Sequence, residues 1–450
     1  MNIIIVGCGK VGATLAEQLS KEGHDIVVVD KKSAPVISIT ETLDIMGIVG
    51  SGTSYRILIE AGIEKADLLI AVTGSDELNL LCCLIARKAS KCHTVARVRN
   101  PQYNDEIDFI REEMALSMTI NPELETALEM ERLIKIPSAV KIEPFAKGKV
   151  ELLKFHIPEH SILDGMKVMD LSHRLQCKLL ACVVERGEEV YIPSGSFELR
   201  SKDTISIIAT PENAIDFFQR AGILINNIKN VMIIGGSTIA EYLAQRLSRS
   251  DINLKIIEQN LERCEELSEL LPHASIINAN ATDRDVLLEE GIEDMDAFAA
   301  ITNFDEENII LSLYAKKHSH AKIFTKITRL TYDDIIADMP LGIIINPQLV
   351  TADSILQHAR TMENPTGCNV EVLYRINDKV EALEFYTGKN AKLVGIPIEE
   401  LSLKPNILIC GINRYGEIII PTGKDYIEEG DTVIIVTTNP GLNDLNDIIL

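Results

Sequence analysis

Tryptophan is absent, and aromatics make up only 4% of the 450 residues, so Ile, Leu and Val must fill the cores. Basic residues are also in deficit: 44 Lys and Arg stand against 67 Asp and Glu, a formal net charge of −23. That balance excludes a clamp on nucleic acid, which needs a basic surface. It also argues against unspecific attachment to an anionic membrane face. No apolar run reaches the ~20 residues of a membrane helix, and the opening "NIIIVG" lacks the basic flank and length of a signal peptide. The nine cysteines form no CxxC pair and no regular framework; adjacent Cys82 and Cys83 suit a buried helix better than a metal site. His318 and His320 in "HSH" read as a solvated loop or helix end. These absences together predict a soluble, reduced, cytoplasmic chain.

What is present is a duplication. "NIIIVGCGKVGATLAEQL" (Asn2–Leu19) returns as "NVMIIGGSTIAEYLAQRL" (Asn230–Leu247), with Gly7, Leu15, Ala16 and Asp30 matching Gly235, Leu243, Ala244 and Glu258 at an offset of 228. Further pairs are "LIEAGIEKADLLIAVT" with "LLEEGIEDMDAFAAIT", "DELNLL" with "DEENII", "ARV" with "TKI", "NPELETA" with "NPQLVTA", "IPSG" with "IPTG" and "KDTISII" with "GDTVIIV". At roughly 100–200 residues per domain the length predicts three or four domains, and the repeat sets them out. The first part of each repeat alternates buried apolar runs ("NIIIV", "DIVVVD", "LLIAV", "HTVARV") with helical spacing, as at Val11, Leu15 and Leu19. That is the pattern of an α/β fold with a Rossmann-like parallel sheet. The second part ("VELLKFHI", "KLLACVVE", "TISIIA") reads as a small α+β module. Expected boundaries are 1–136, 137–224, 228–362 and 368–450, with turns near Pro137, in "LINNIKN" and in "ENPTG".

"GCGKVG" is GxGxxG between a strand and a helix: Gly7 for the tight turn, Gly9 for close approach of a pyrophosphate, Gly12 for helix–strand packing, with Cys8, Lys10 and Val11 completing the turn. The N–H groups at the helix start face an anion there. Asp30 ends the second strand 18 residues beyond Gly12, where a carboxylate accepts ribose hydroxyls and repels a 2′-phosphate. This favours NAD or an adenosine nucleotide over NADP, an exclusion that Lys31 and Lys32 weaken. Ser51 and Thr53 in "GSGT", together with Thr73 and Gly74, belong to loops expected at the same crevice. Arg97, in an otherwise apolar strand, calls for an anionic partner: a phosphate or a local carboxylate. Asp76, Glu77 and Asn79 either cap a helix or face the ligand. In the second repeat Gly235, Ile239 and Glu258 keep the site's outline. Ser237 and Ala240 replace Gly9 and Gly12, and Lys326 stands at Arg97's place. The altered turn predicts weaker or different binding, adenosine-type or none.

The order GxGxxG, Asp30, "EAGIEKADLLIAVTGSDELNLLCCLIARK", "ARV" and "NPELETA" resembles the nucleotide-binding half of an RCK (regulator of K⁺ conductance) domain, and the β-rich part resembles its smaller C-terminal module. Two such units in tandem without a membrane segment resemble the regulatory proteins of Trk-type potassium uptake, over almost the full chain. The resemblance implies a cytoplasmic gating subunit, peripheral at the inner face of the cell membrane. It implies a ring, a homotetramer of eight Rossmann units, under a membrane-embedded potassium transporter or channel subunit. NAD(H), and ATP or ADP, bind in the Rossmann clefts of that family and alter the ring's shape. The residues implied are Gly7, Gly9, Val11, Asp30, Thr73 and Arg97, with Ser51 and Thr53 beside them. The alternative is an NAD-dependent oxidoreductase. That activity needs a proton donor or acceptor near the nicotinamide, whereas His156 and His160 in "FHIPEHSILDG" read as strand and turn, and the length is spent on a second copy of the fold.

Overall fold

Short strands of Ile, Val and Leu, each ended by a small or polar residue, lay down the first sheet. The computed structural model describes residues 1–100, 103, 106–223, 228–329, 336, 339–363, 370–377, 379–389, 391–439, 442 and 444–450. Strands β1 (Asn2–Val6), β2 (Asp25–Asp30), β3 (Met46–Val49), β4 (Leu68–Ala71), β5 (His93–Arg97) and β6 (Met118–Ile120) form a sheet in the order β3-β2-β1-β4-β5-β6. Every pairing in it is parallel. The central strands β1 and β4 are buried at all positions except Asn2, as a sheet covered on both faces requires.

Helices α1 (Lys10–Lys21), α2 (Ser33–Thr42), α3 (Tyr55–Glu60) and α4 (Asp76–Ala89) follow the first four strands in turn. α1 turns Val11, Leu15, Ala16 and Leu19 to the sheet; each large apolar side chain among them, fully buried, contributes roughly 1.5–3 kcal/mol. α4 starts where Ser75 accepts a hydrogen bond from the Leu78 N–H, and it buries Cys82, Cys83 and Ala86. α5 (Ile107–Glu113) leads into β6, and α6 (Pro122–Lys135) leaves it. Chain order reverses between β1 and β4, and that switch opens a crevice at the strands' carboxyl ends.

The first small module is antiparallel: β7 (Lys141–Phe145), β8 (Val150–His156), β9 (Leu179–Arg186), β10 (Glu189–Tyr191) and β11 (Thr204–Ala209), in the order β10-β9-β11-β8-β7. It adds α7 (Val168–Leu175) and α8 (Pro211–Arg220).

The second repeat rebuilds the parallel sheet from β12 (Asn230–Ile234), β13 (Asn253–Glu258), β14 (Ala274–Asn278), β15 (Ala297–Ala300), β16 (Lys322–Lys326) and β17 (Ile343–Ile345), in the order β14-β13-β12-β15-β16-β17. Its helices are α9 (Thr238–Leu247), α10 (Leu261–Leu270), α11 (Arg284–Glu289), α12 (Asp305–His318) and α13 (Pro347–Glu363). The second module has β18 (Val370–Asn377), β19 (Val380–Tyr386), β20 (Ile407–Arg414), β21 (Glu417–Ile419) and β22 (Thr432–Thr437), in the order β18-β19-β22-β20-β21. Among the described residues it carries 3₁₀ turns (Ile398–Glu400 and Leu445–Ile448) and no α-helix. The reason is local: α8 has a Thr210 cap and an apolar stripe of Ala214, Phe217 and Phe218, whereas "NPGLNDLNDI" is rich in Asn and Asp.

The chain divides into two compact units, Met1–Glu131 with Lys229–Ala359, and Arg132–Ile228 with Arg360–Leu450. In the first unit the two parallel sheets belong to one body: the Asn121 amide donates to the Tyr242 hydroxyl (3.1 Å), and Arg246 pairs with Glu131 of α6. In the second unit both small modules share one core, with Phe145, Leu152 and Cys182 packed beside Val380, Cys410 and Val436. Duplication persists in its side chains. Arg186 clasps Asp203 (2.7 Å) and lies over the Phe197 ring, while Arg414 clasps Asp431 (2.8 Å) and lies over the Tyr426 ring. The expected turns "LINNIKN" and "ENPTG" fall mostly outside the described residues.

Candidate functional site: two unlike nucleotide crevices

In the first crevice the chain leaves β1 at Gly7, whose φ of 109° is open to glycine; a Cβ there meets the Thr73 nitrogen at 2.9 Å. At Gly12 a Cβ meets the Gly7 carbonyl oxygen at 1.9 Å, so only glycine lets α1 sit this close to the turn. Gly9 differs, because a Cβ there has nothing within 4 Å; it borders open space. Gly9 is also the N-cap of α1 and offers no side-chain acceptor, so no cap competes for the first amides of the helix. Those amides and the helix dipole form a cradle that fits a phosphate.

Asp30 reaches back from β2 to this turn. Its carboxylate accepts the Cys8 N–H at 2.8 Å and the Lys32 N–H at 2.9 Å, which fixes it at the crevice wall. The lining includes Gly7, Cys8, Gly9, Lys10, Val11, Asp30, Ser51, Thr53, Thr73, Gly74 and Arg97, around a cavity of about 530 Å³. Gly12 lies behind the turn, packed on it. Ser51 and Thr53 share a hydroxyl hydrogen bond of 2.8 Å. Lys31, Lys32, Pro35, Ser75, Leu78 and Cys82 also face this space. The two lysines were legible in sequence beside Asp30; the others had no signal beyond lying close to a crevice loop in the chain.

Asn79 neither caps α4 nor faces the cavity. Its side-chain oxygen accepts from the Thr73 N–H (2.8 Å) and hydroxyl (2.7 Å), and its amide donates to the Arg97 carbonyl at 2.8 Å. It thereby ties two crevice loops to the helix start. Asp76 accepts the backbone N–H groups of Arg99 and Asn100, each at 2.8 Å, and Glu77 accepts from Ser75 and Tyr103. Arg97 donates to the Thr73 carbonyl, and its Nε has no acceptor among the described residues. No carboxylate among those residues pairs with it directly. Burial, and then the charge of Arg99, push its pKa below the ordinary guanidinium value. A cation held this way is a ready anion partner. The Cys8 thiol is pushed up to about 12 by burial and by the Asp30 charge, so it is a spectator at neutral pH.

The second crevice repeats the acid and alters the rest. Glu258 accepts the Gly236 N–H at 2.6 Å and the Asn260 N–H at 2.7 Å. The longer acid needs room, and a Cβ on Gly236 meets Glu258 Cγ at 3.1 Å. Ser237, at the place of Gly9, accepts the Ala240 N–H on its hydroxyl (3.4 Å) and caps α9. Arg263 donates to the Gly236 carbonyl (2.7 Å), to Glu241 (2.7 Å) and to Glu266 (3.0 Å). Gly235 and Glu258 line a cavity of about 380 Å³. Ile239 lies instead on a further cavity of about 370 Å³ between the two parallel-sheet domains. Arg97, Arg99, Glu123 and Lys326 share that wall.

His156 and His160 sit in the small module as strand end and turn: His156 meets the Thr204 hydroxyl at 2.8 Å, and His160 has a φ of 62°. His318 is the last residue of α12, a helix end as expected, and is stacked on Tyr314 (4.3 Å between centroids). No group of three metal-ligating side chains occurs among the described residues, and no helix there is long and apolar enough to cross a membrane.

Comparison with known proteins identifies both parts of each repeat. The TrkA-N domain model matches residues 3–122 and 231–347, and the TrkA-C domain model matches residues 152–222 and 383–450. The chain is 34% identical over 439 residues to the Trk system potassium uptake protein TrkA of Halomonas elongata, covering 97% of this chain and 95% of that one. It is 32% identical over 444 residues to the Trk system potassium uptake protein TrkA homolog 1 of Methanosarcina mazei, covering 97% of each. Among solved structures, the GsuK channel bound to NAD superposes with a TM-score of 0.63 at 19% identity, over 97% of this chain and 76% of that one, and shares the fold. With both domain types present twice along its length, the chain belongs to the TrkA family of Trk system potassium uptake proteins.

Proposed function

We propose that this protein is the nucleotide-sensing regulatory subunit of a Trk-type potassium uptake system. NAD(H) occupies the first crevice, ATP or ADP competes for it, and occupancy changes the shape of a four-chain ring at the cytoplasmic face of a membrane-embedded potassium subunit. The observation that carries this reading is the first crevice: an uncapped helix start, open space at Gly9 and a pinned Asp30 in one cavity. The α1 amides, Lys10 and Arg97 hold the phosphates, Asp30 holds the ribose diol, and Ser51, Thr53, Thr73 and Gly74 close the walls. Relatives named for potassium uptake support the pathway. Neighbours of the same fold described as GsuK bound to NAD and to ADP support the ligands. The boundaries 1–136, 137–224, 228–362 and 368–450 serve as the domain limits of this proposal. A ligand shifts such a ring only as far as it binds one shape better than the other.

The test is co-purification with a potassium-translocating membrane protein, followed by flux measurements with and without NADH, ATP or ADP. Flux that responds to nucleotide, and no longer responds after Asp30→Ala, is the expected result. Flux indifferent to every nucleotide overturns the reading. Incubation with NADH and a panel of small oxo-acids separates it from the oxidoreductase: saturable binding without oxidation is expected.

A further inference from the structure

The two crevices of this chain have opposite charge. The first is lined by Lys10, Lys31, Lys32 and Arg97 against Asp30 alone. The second is lined by Glu258 and Glu307 against Arg263 alone. The Arg263 charge is already engaged, since its three donor nitrogens go to Gly236, Glu241 and Glu266. Chain position explains the inversion: Gln259 and Asn260 replace Lys31 and Lys32, and Glu307 replaces Leu78. The helix starts differ in the same sense. α1 presents amides with no side-chain cap, whereas Ser237 caps α9 itself. The cationic side chains that grip phosphate in the first crevice are therefore missing from the second, and one amide of its helix start is taken by the cap. The carboxylate that grips a ribose is kept, pinned by two backbone N–H groups in the same geometry.

We infer that the second crevice is a site for an uncharged nucleoside of the adenosine type, selected against polyphosphates and dinucleotides, so that one chain reads two chemically distinct ligands. The inference rests on the nucleotide-sensing reading above. Glu258 takes the ribose diol, and the cavity of about 380 Å³, smaller than the 530 Å³ of the first, takes the base. Selectivity comes from repulsion: a triphosphate brings several negative charges to a wall that is already negative, and the Ser237 cap takes the Ala240 amide from the helix start that would offset them.

Equilibrium dialysis of the full-length chain with adenosine, ATP and NADH tests this. In Asp30→Ala, adenosine is expected to saturate one site per chain while NADH binding falls at least tenfold. In Glu258→Gln, the second adenosine site weakens at least tenfold and NADH binding holds. Adding Glu307→Lys to Asp30→Ala gives the second crevice a cation and is expected to tighten ATP there roughly fivefold, an effect that fades with added salt. Because Glu307 sits on the partly exposed rim, this variant keeps the test alive if Glu258→Gln does not fold. Two NADH or ATP sites per chain, the second lost in Glu258→Gln, overturn the inference. So does the absence of saturable adenosine binding in Asp30→Ala. If NADH fails to bind even the wild type while adenosine binds as described, the first-crevice reading falls and this one stands.

Discussion

At the scale of single residues, the three glycines of the first turn separate by what surrounds them. Gly12→Ala drives a methyl against the Gly7 carbonyl oxygen at 1.9 Å. The expected cost is about 1–3 kcal/mol of stability, seen as a lower midpoint in urea. Gly9→Ala meets nothing within 4 Å and leaves that midpoint unchanged, while NADH affinity drops because the methyl takes the phosphate's space. Asp30→Ala is expected to weaken NADH by about 1.5–3 kcal/mol in calorimetry without unfolding the chain. Gly7 and Gly12 were legible in sequence because close backbone packing dictates them, and Gly9 and Asp30 because the motif and its spacing put them at the crevice. Arg97 was only half legible. Its strand position announced a buried cation, but its bond to the Thr73 carbonyl and its place on a second cavity depend on residues far along the chain.

At the scale of elements, the two repeats are each other's controls. α1 and α9 occupy the same place, yet one begins at bare Gly9 and the other at self-capping Ser237. Ser237→Ala is expected to cost about 1 kcal/mol. Gly9→Ser is expected to keep or raise stability and lower NADH affinity, moving the first crevice toward the second. Asn79 of α4 and Asn308 of α12 make the same three bonds to their loops. Asn79→Ala leaves the Thr73 N–H and the Arg97 carbonyl without these partners, for an expected loss of about 1–3 kcal/mol in denaturant titration. Periodicity exposed the strands read from runs of five or six residues rich in Val, Ile, Leu and Ala. It left β3 and β6 unnamed, because "MGIV" and "MTI" are short and partly exposed, and sheet pairing rather than propensity makes them strands.

At the scale of the whole molecule, buried ionisable groups set a pH profile. Burial holds Lys322 down to about 7 from 10.5. Between those values the unfolded chain binds the extra proton, so stability rises with pH through that window. The thiols work the other way. Cys8 is pushed up to about 12 and Cys82 to about 11, from 9.0. Their contribution is intact below pH 9 and is lost as pH rises toward 11 and 12. The urea midpoint should therefore climb from pH 7, peak near pH 9 and fall beyond. Duplication itself was legible because the offset stays near 228 along the chain. How the repeats share their bodies was not, since that depends on Asn121 meeting Tyr242 and Arg246 meeting Glu131, over 100 residues away in sequence.

Arg97 belongs to the wall of the nucleotide crevice and also to the seam that Lys326 and Glu123 line. An exchange at this one position therefore edits two rooms at once. A loss of response in such a mutant reports on the joint between domains as much as on ligand grip. Asp30 borders the first room and not the seam, so its removal separates the two effects.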